Sequence, residues 1–260
     1  MTFRLTVGAV VVAGLLAGST LTAQRGPVTP ASTLPPEILS LACAPTALFA
    51  PPDDTLRVTG GQDSFYKDQY APGDLLTISA GAKHGIQVGQ EFYTKRVLIL
   101  RKERVTSDTP ATLMTSGWIR VYAVDDEMSL ATVTHACDGI NVGDILEPFV
   151  VPTMPSPPSI RYKAQRDNYG HVLTGNDRRT SFGKGDYLLI DRGSDHGVSL
   201  GSLFALYRNK EVEGNFLYDL GEAMAVSVSP DKSTLLVTVS RDAIQTGDLV
   251  AIRKPVKTTP

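Results

Sequence analysis

The sequence predicts an all-β protein in which one small antiparallel barrel or sandwich is written twice. Three observations carry that prediction. First, the chain repeats itself: GDLLTISAGAKHGIQVGQEF from Gly73 aligns without gaps on GDYLLIDRGSDHGVSLGSLF from Gly185, and self-similarity of this kind marks duplicated structural units. A second block, GWIRVYAVDDEMSLATVTHACDGINVGD from Gly117, matches GEAMAVSVSPDKSTLLVTVSRDAIQTGD from Gly221, with 26 residues from the first Gly to the final Gly-Asp in both. Second, the apolar period is two. Leu75 to Ile78, Ile119 to Val124, Leu130 to Val133, Tyr187 to Ile190, Ala223 to Val228 and Leu235 to Val239 are short, mostly rich in β-branched residues and bounded by Gly, Asp, Asn or Pro, the pattern of half-buried strands. Third, no window of a dozen residues beyond the first segment shows a helical face.

Composition narrows the class further. At about 150 residues per domain, 260 residues hold one large domain or two small ones. A hydrophobic share of 42% excludes wholesale disorder, and a mean hydropathy of -0.03 excludes a polytopic membrane protein. With 25 basic against 27 acidic residues, the chain lacks the basic footprint of nucleic-acid binding.

In chain order, residues 1–23 read as a secretory signal. Arg4 precedes an apolar stretch from Val7 to Gly18 that is too short to span a bilayer, and small residues run to Ala23. The mature chain is therefore expected to be periplasmic or secreted, with no membrane span after cleavage. Residues 24–55 form a proline-rich extended arm, and 56–149 the first β-domain. Residues 150–169 are a linker whose four prolines fall in its first nine residues, a composition that favours an extended connector. Residues 170–254 are the second β-domain and 255–260 a tail. Each unit, about 90 residues long, accommodates five to seven strands.

Export changes how the cysteines read. In an oxidising compartment Cys43 and Cys137 are the only possible intramolecular pair, and the bridge staples the arm to the first unit. His135 lies two residues before Cys137 and belongs to a ligand pair only where that bridge is absent. No cofactor is implied.

Gly81, Gly85 and Gly89, repeated as Gly193, Gly197 and Gly201, space like a phosphate-cradling loop. The continuation reads as a strand, however, and no Lys-Ser or Lys-Thr follows, so they are read as structural turns that supply positive φ or close backbone approach. Asp74, Asp144, Asp186 and Asp248 each follow a glycine, where a short acid hydrogen-bonds turn amides. The same four carboxylates, or His84 and its repeat His196, are the residues that the competing class, a periplasmic hydrolase, would use. For the histidines the expected role is a turn residue touching backbone carbonyls. The units differ most between Phe92 and Gly117, with 24 intervening residues against 16 between Phe204 and Gly221. KRVLILRKERV in that insertion reads as a solvated edge strand or projecting hairpin. Its functional reading is a partner-binding surface of Lys95, Arg96, Arg101, Lys102 and Arg104 with Trp118 nearby, facing an envelope protein or an anionic cell-wall glycan.

LLIDRGSDHGVSLGSLFALYR, followed by LGEAMAVSVSPDKSTLLVTVSRDAIQTGD, resembles the C-terminal β-domain of the flagellar assembly protein T family and related β-domains found beside LysM modules in envelope proteins. The resemblance covers about 70 residues of the second unit and, less closely, the same parts of the first. It implies a non-enzymatic module that assembles with envelope structures.

Overall fold

The computed structural model describes residues 34–47, 56–62, 65–99, 111–156, 162–176, 179–209 and 216–255. Residues 1–33, which include the expected signal segment, residues 48–55, and Arg101, Lys102 and Arg104 lie outside them. Among the described residues no helix is long and apolar enough to cross a membrane.

The chain opens on helix α1 (Pro36–Ala42) and the two-residue strand β1 (Thr46–Ala47). The first unit then runs β2 (Val58–Gly61), β3 (Gln69–Tyr70), β4 (Leu75–Ile78), β5 (Glu91–Ile99), β6 (Ala111–Val124), β7 (Ser129–Ala136), β8 (Ile140–Asn141) and β9 (Ile145–Pro148). The second follows with β10 (Tyr162–Gly175), β11 (Ser181–Phe182), β12 (Tyr187–Ile190), β13 (Leu203–Asn209), β14 (Leu217–Val228), β15 (Ser233–Ser240), β16 (Ile244–Gln245) and β17 (Leu249–Pro255). The all-β class read from the sequence is the class of the structure.

The duplication holds strand by strand. The second unit is a closed antiparallel barrel ordered β10-β12-β15-β14-β13-β17. The first has the matching order β2-β4-β7-β6-β5-β9, and a bridge between Arg57 and Ile145 joins its two ends. The Val58 amide donates to the Asp144 carbonyl and the Leu146 amide to that of Leu56, both at 2.9 Å. The ladders β3 with β8 and β11 with β16 are equivalent too. Alternation sends one set of side chains inward. Val58, Leu76, Ile78, Phe92, Ile119 and Val121 fill the first barrel, and Val172, Leu188, Ile190, Phe204, Ala223 and Ala225 the second.

Two segments differ from their expected form. The described part of the arm is not extended: Pro36, with its φ already fixed, starts a helix of 7 residues that carries Leu41 and Ala42 inward, and β1 then pairs with β6, Thr46 facing Leu113. The linker ends earlier than its composition suggests. Beyond the last of its prolines, backbone amides are again free to donate, and β10 pairs with β17 from Tyr162 opposite Pro255.

The arm holds both units. Cys43 and Cys137 form a disulfide that ties it to the first, and the Thr112 hydroxyl donates to the Thr46 carbonyl at 2.5 Å. Leu41 and Ala44 meanwhile pack with Tyr187, Met224 and Val226 of the second barrel, and Ala47 packs with Leu173 and Leu189. The buried Thr234 hydroxyl donates to the Pro45 carbonyl at 2.7 Å.

Candidate functional site

The repeated acids close turns. Asp144 accepts from Arg96 through both carboxylate oxygens at 2.8 Å and from the Asn141 amide at 2.9 Å. Asp248 does the same with Arg208, at 2.8 and 2.7 Å, and with the Gln245 amide. Hydrogen bonding to Asp248 pushes the Arg208 guanidinium above its ordinary range. Each arginine also reaches a carbonyl in the preceding loop, Gly139 or Ala243, so one bidentate fork fixes strand, turn and loop together. Asp74 accepts from the Ala71 amide and from Lys67, and the Ala71 bond, with Lys67 beside it, holds its carboxyl below the usual range. Asp186 accepts from the Gly183 amide and Arg179. All four carboxylates read as hydrolase candidates thus have a turn amide and a cation as partners.

The paired histidines cap short 3-10 turns, Ala82–His84 and Ser194–His196. The Gly81 amide donates to His84 Nδ1 at 3.4 Å, and that of Gly193 to His196 Nδ1 at 3.2 Å. This corrects the expectation of contacts to carbonyls. An unprotonated ring nitrogen accepts from the first free amide of the turn, a bond that a carbonyl partner would reverse. Gly85 and Gly197 end these turns at φ of 80° and 79°. Gly81 and Gly193 have ordinary φ, but a Cβ there would overlap the carbonyls of Asp125 and Ser229.

The structure departs from the partner-surface reading at Lys95, Arg96 and Trp118. Arg96 is the Asp144 clamp. Lys95 pairs with Glu147 at 2.6 Å with its side chain 11% exposed, and lies 5.5 Å from the Tyr93 ring centre. Trp118 is 1% exposed, stacked on His135 at 4.4 Å and tilted against Phe149 at 5.2 Å. Burial pushes the His135 imidazole below the ordinary histidine range and the Tyr93 hydroxyl up to about 12. β9 flanks β5 only from Phe92 to Lys95; among the described residues Arg96 to Ile99 pair with β6 alone, so this part of the insertion keeps the free edge that the edge-strand reading expects.

What the sequence reading missed is the outer wall of each barrel. In the second unit, Leu203, Met224, Leu236 and Tyr187 stand opposite one another across β13, β14, β15 and β12, and the arm covers this apolar ladder. The equivalent ladder of the first unit is Glu91, Arg120, Thr132 and Leu75. Arg120 pairs with Glu91 at 2.7 Å, the Thr59 and Thr77 hydroxyls meet at 3.1 Å, and Tyr122 stands 67% exposed. At the hairpin end, Ala123, Val124, Met128 and Leu130 line a cavity of about 310 Å³, the low end of small-molecule sites. A second cavity, about 210 Å³, lies where the arm, Tyr93, Lys95, Pro152 and Ser227 meet. A signal for the covered wall was present: YLLI in β12 is apolar at every position and wholly buried, whereas LLTI in β4 alternates. Continuous apolar runs mark strands covered on both faces.

Compared with known protein families and with curated proteins, the chain has no match.

Proposed function

We propose that this chain is a non-enzymatic binding or scaffolding module of the cell envelope, exported by its first 23 residues, in which the open wall of the first barrel receives an envelope protein or a cell-wall glycan. The observation that carries the reading is the contrast between walls. The second barrel's ladder is sealed by the arm, while the first presents a polar ladder with Tyr122 and Leu130 at its margin, 67% and 40% exposed. An exposed aromatic among hydroxyls and an ion pair suits recognition of a polar, partly apolar partner. The disulfide supports an oxidising compartment. Engagement of all four Gly-Asp carboxylates by turn amides and cations argues for scaffold over hydrolase. The resemblance to flagellar and LysM-associated envelope β-domains points to the same class of role.

The test is photo-crosslinking in intact envelopes, with the reactive side chain placed at Tyr122 or, as the control under the arm, at Val226. Adducts to an envelope protein or to wall glycan from position 122, and none from 226, are expected. No adduct at 122 beyond the level at 226 would overturn the reading.

A further inference from the structure

We infer that Cys43, His135 and Cys137 form a redox-gated site for one soft d10 cation, with trigonal Cu(I) as its matching ion. One donor atom from each of the three residues lies within 4.8 Å of the others. Bonds of about 2.0 to 2.3 Å to a shared ion set donors about 3.5 to 4 Å apart. Opening the bridge therefore needs each sulfur to move about 1 Å, a small χ1 adjustment.

The surroundings hold the three groups in place without the sulfur–sulfur bond. The Cys43 amide donates to the Leu39 carbonyl at 3.2 Å and that of Cys137 to Ser116 at 2.8 Å. Strand β1 remains paired to β6, the Thr112 and Thr234 hydroxyls still bind the arm's carbonyls, and Leu41 stays seated on the second barrel. His135 is fixed by its stack on Trp118. Reduction thus leaves two thiols facing each other beside an imidazole, a pre-organised donor set.

The chemistry balances in two steps. A dithiol reduces the bridge to two thiols and is itself oxidised to a disulfide. The cation then displaces both thiol protons to solvent, and the neutral imidazole supplies a ring-nitrogen lone pair. Two thiolates and one imidazole select soft cations. Three donors complete a trigonal Cu(I) sphere, whereas Zn(II) on the same set needs a fourth ligand from water. Bound metal would then join arm to barrel where the bridge had.

The test uses the full mature chain, either oxidised or reduced with dithiothreitol and desalted without oxygen, titrated with Cu(I) against a chromophoric Cu(I) chelator. The chain has one tryptophan, so emission from Trp118 reports occupancy directly. Reduced protein is expected to retain one Cu(I) per chain with quenched emission, and oxidised protein none. His135→Asn should weaken retention by about tenfold or more, since even outer-shell changes reach that range. Retention by the reduced chain no greater than by the oxidised chain, a comparison that requires no variant, would overturn the site. Unchanged affinity in a folded His135→Asn chain would remove the imidazole, and tighter holding of Zn(II) than of Cu(I) would overturn the trigonal assignment.

Discussion

Across four strands of each barrel runs one ladder of outward side chains, and the two ladders have opposite chemistry. Leu203, Met224, Leu236 and Tyr187 form it in the second unit, and Glu91, Arg120, Thr132 and Leu75 in the first. The inward side chains, the turn glycines, the capping histidines and the Arg–Asp clamps are the same in kind. Duplication preserved what closes a barrel and released what faces outward. One wall became a seat for the arm, and the other stayed open. The difference lies in burial: an apolar ladder is stable only when something covers it, and α1 with β1 does so.

The largest expected effect concerns the link between the units. Cys43→Ser should lower stability to urea by about 4 to 5 kcal/mol in the chain-entropy model, since the bridge spans 94 residues. Loss well below that value would mean that the unfolded chain is already compact around this loop, leaving the bridge less entropy to remove. Next comes a feature the units share. Arg96→Ala and Arg208→Ala each strand a buried carboxylate, Asp144 or Asp248, and should cost about 3 kcal/mol or more. Nearly equal losses support equivalence of the clamps, and a large inequality would break it.

Exchanging ladder residues sharpens the contrast itself. Met224→Arg places an unpaired charge under the arm and should cost about 3 kcal/mol, whereas Arg120→Met alters a half-buried pair that solvent still reaches and should change stability by about 1 kcal/mol or less. Comparable costs in chemical denaturation would mean that the two walls are equally covered. The smallest effect is in pH. The His171 amide donates to Asp191 at 2.6 Å, where Ser79 of the first unit accepts from Arg57 at 2.9 Å. Burial alone would raise the Asp191 carboxyl, but hydrogen bonds from the His171 ring and amide, with Arg192 nearby, outweigh burial and hold it below its ordinary value of 3.8. The folded value is depressed, so this stabilisation is present above about pH 4 and is lost as pH falls through the folded value. Asp191→Ser should reduce stability near neutrality and flatten the acid limb of the stability curve.

Much of the architecture was legible. Leu75 to Ile78 and Tyr187 to Ile190 coincide with β4 and β12, and the cysteine pairing follows from there being only two. The Gly-x-x-x-Gly spacing was legible because only glycine tolerates the positive φ at 85 and 197 or the close approach at 81 and 193. The arm was not legible, because seven helical residues carry too little periodicity to stand out, and what orders Leu41 is a wall more than 140 positions downstream. Arg96 misled for a related reason. A cation in a basic run reads as solvated, and nothing local shows that a turn 48 residues away places Asp144 against it.

The central claim, that the arm seals one wall and leaves its counterpart open, is tested most directly by hydroxyl-radical footprinting of the oxidised chain with residue-level mass readout. Tyr122 and Met128, 67% and 50% exposed, should be modified rapidly, while Tyr187 and Met224, 2% and 4% exposed, are protected. In a Leu41→Asp chain, which unseats the arm, protection at Tyr187 and Met224 should fall with little change at Tyr122. Modification of Tyr187 and Met224 in the unaltered chain at the rate of Tyr122 and Met128 would contradict the account.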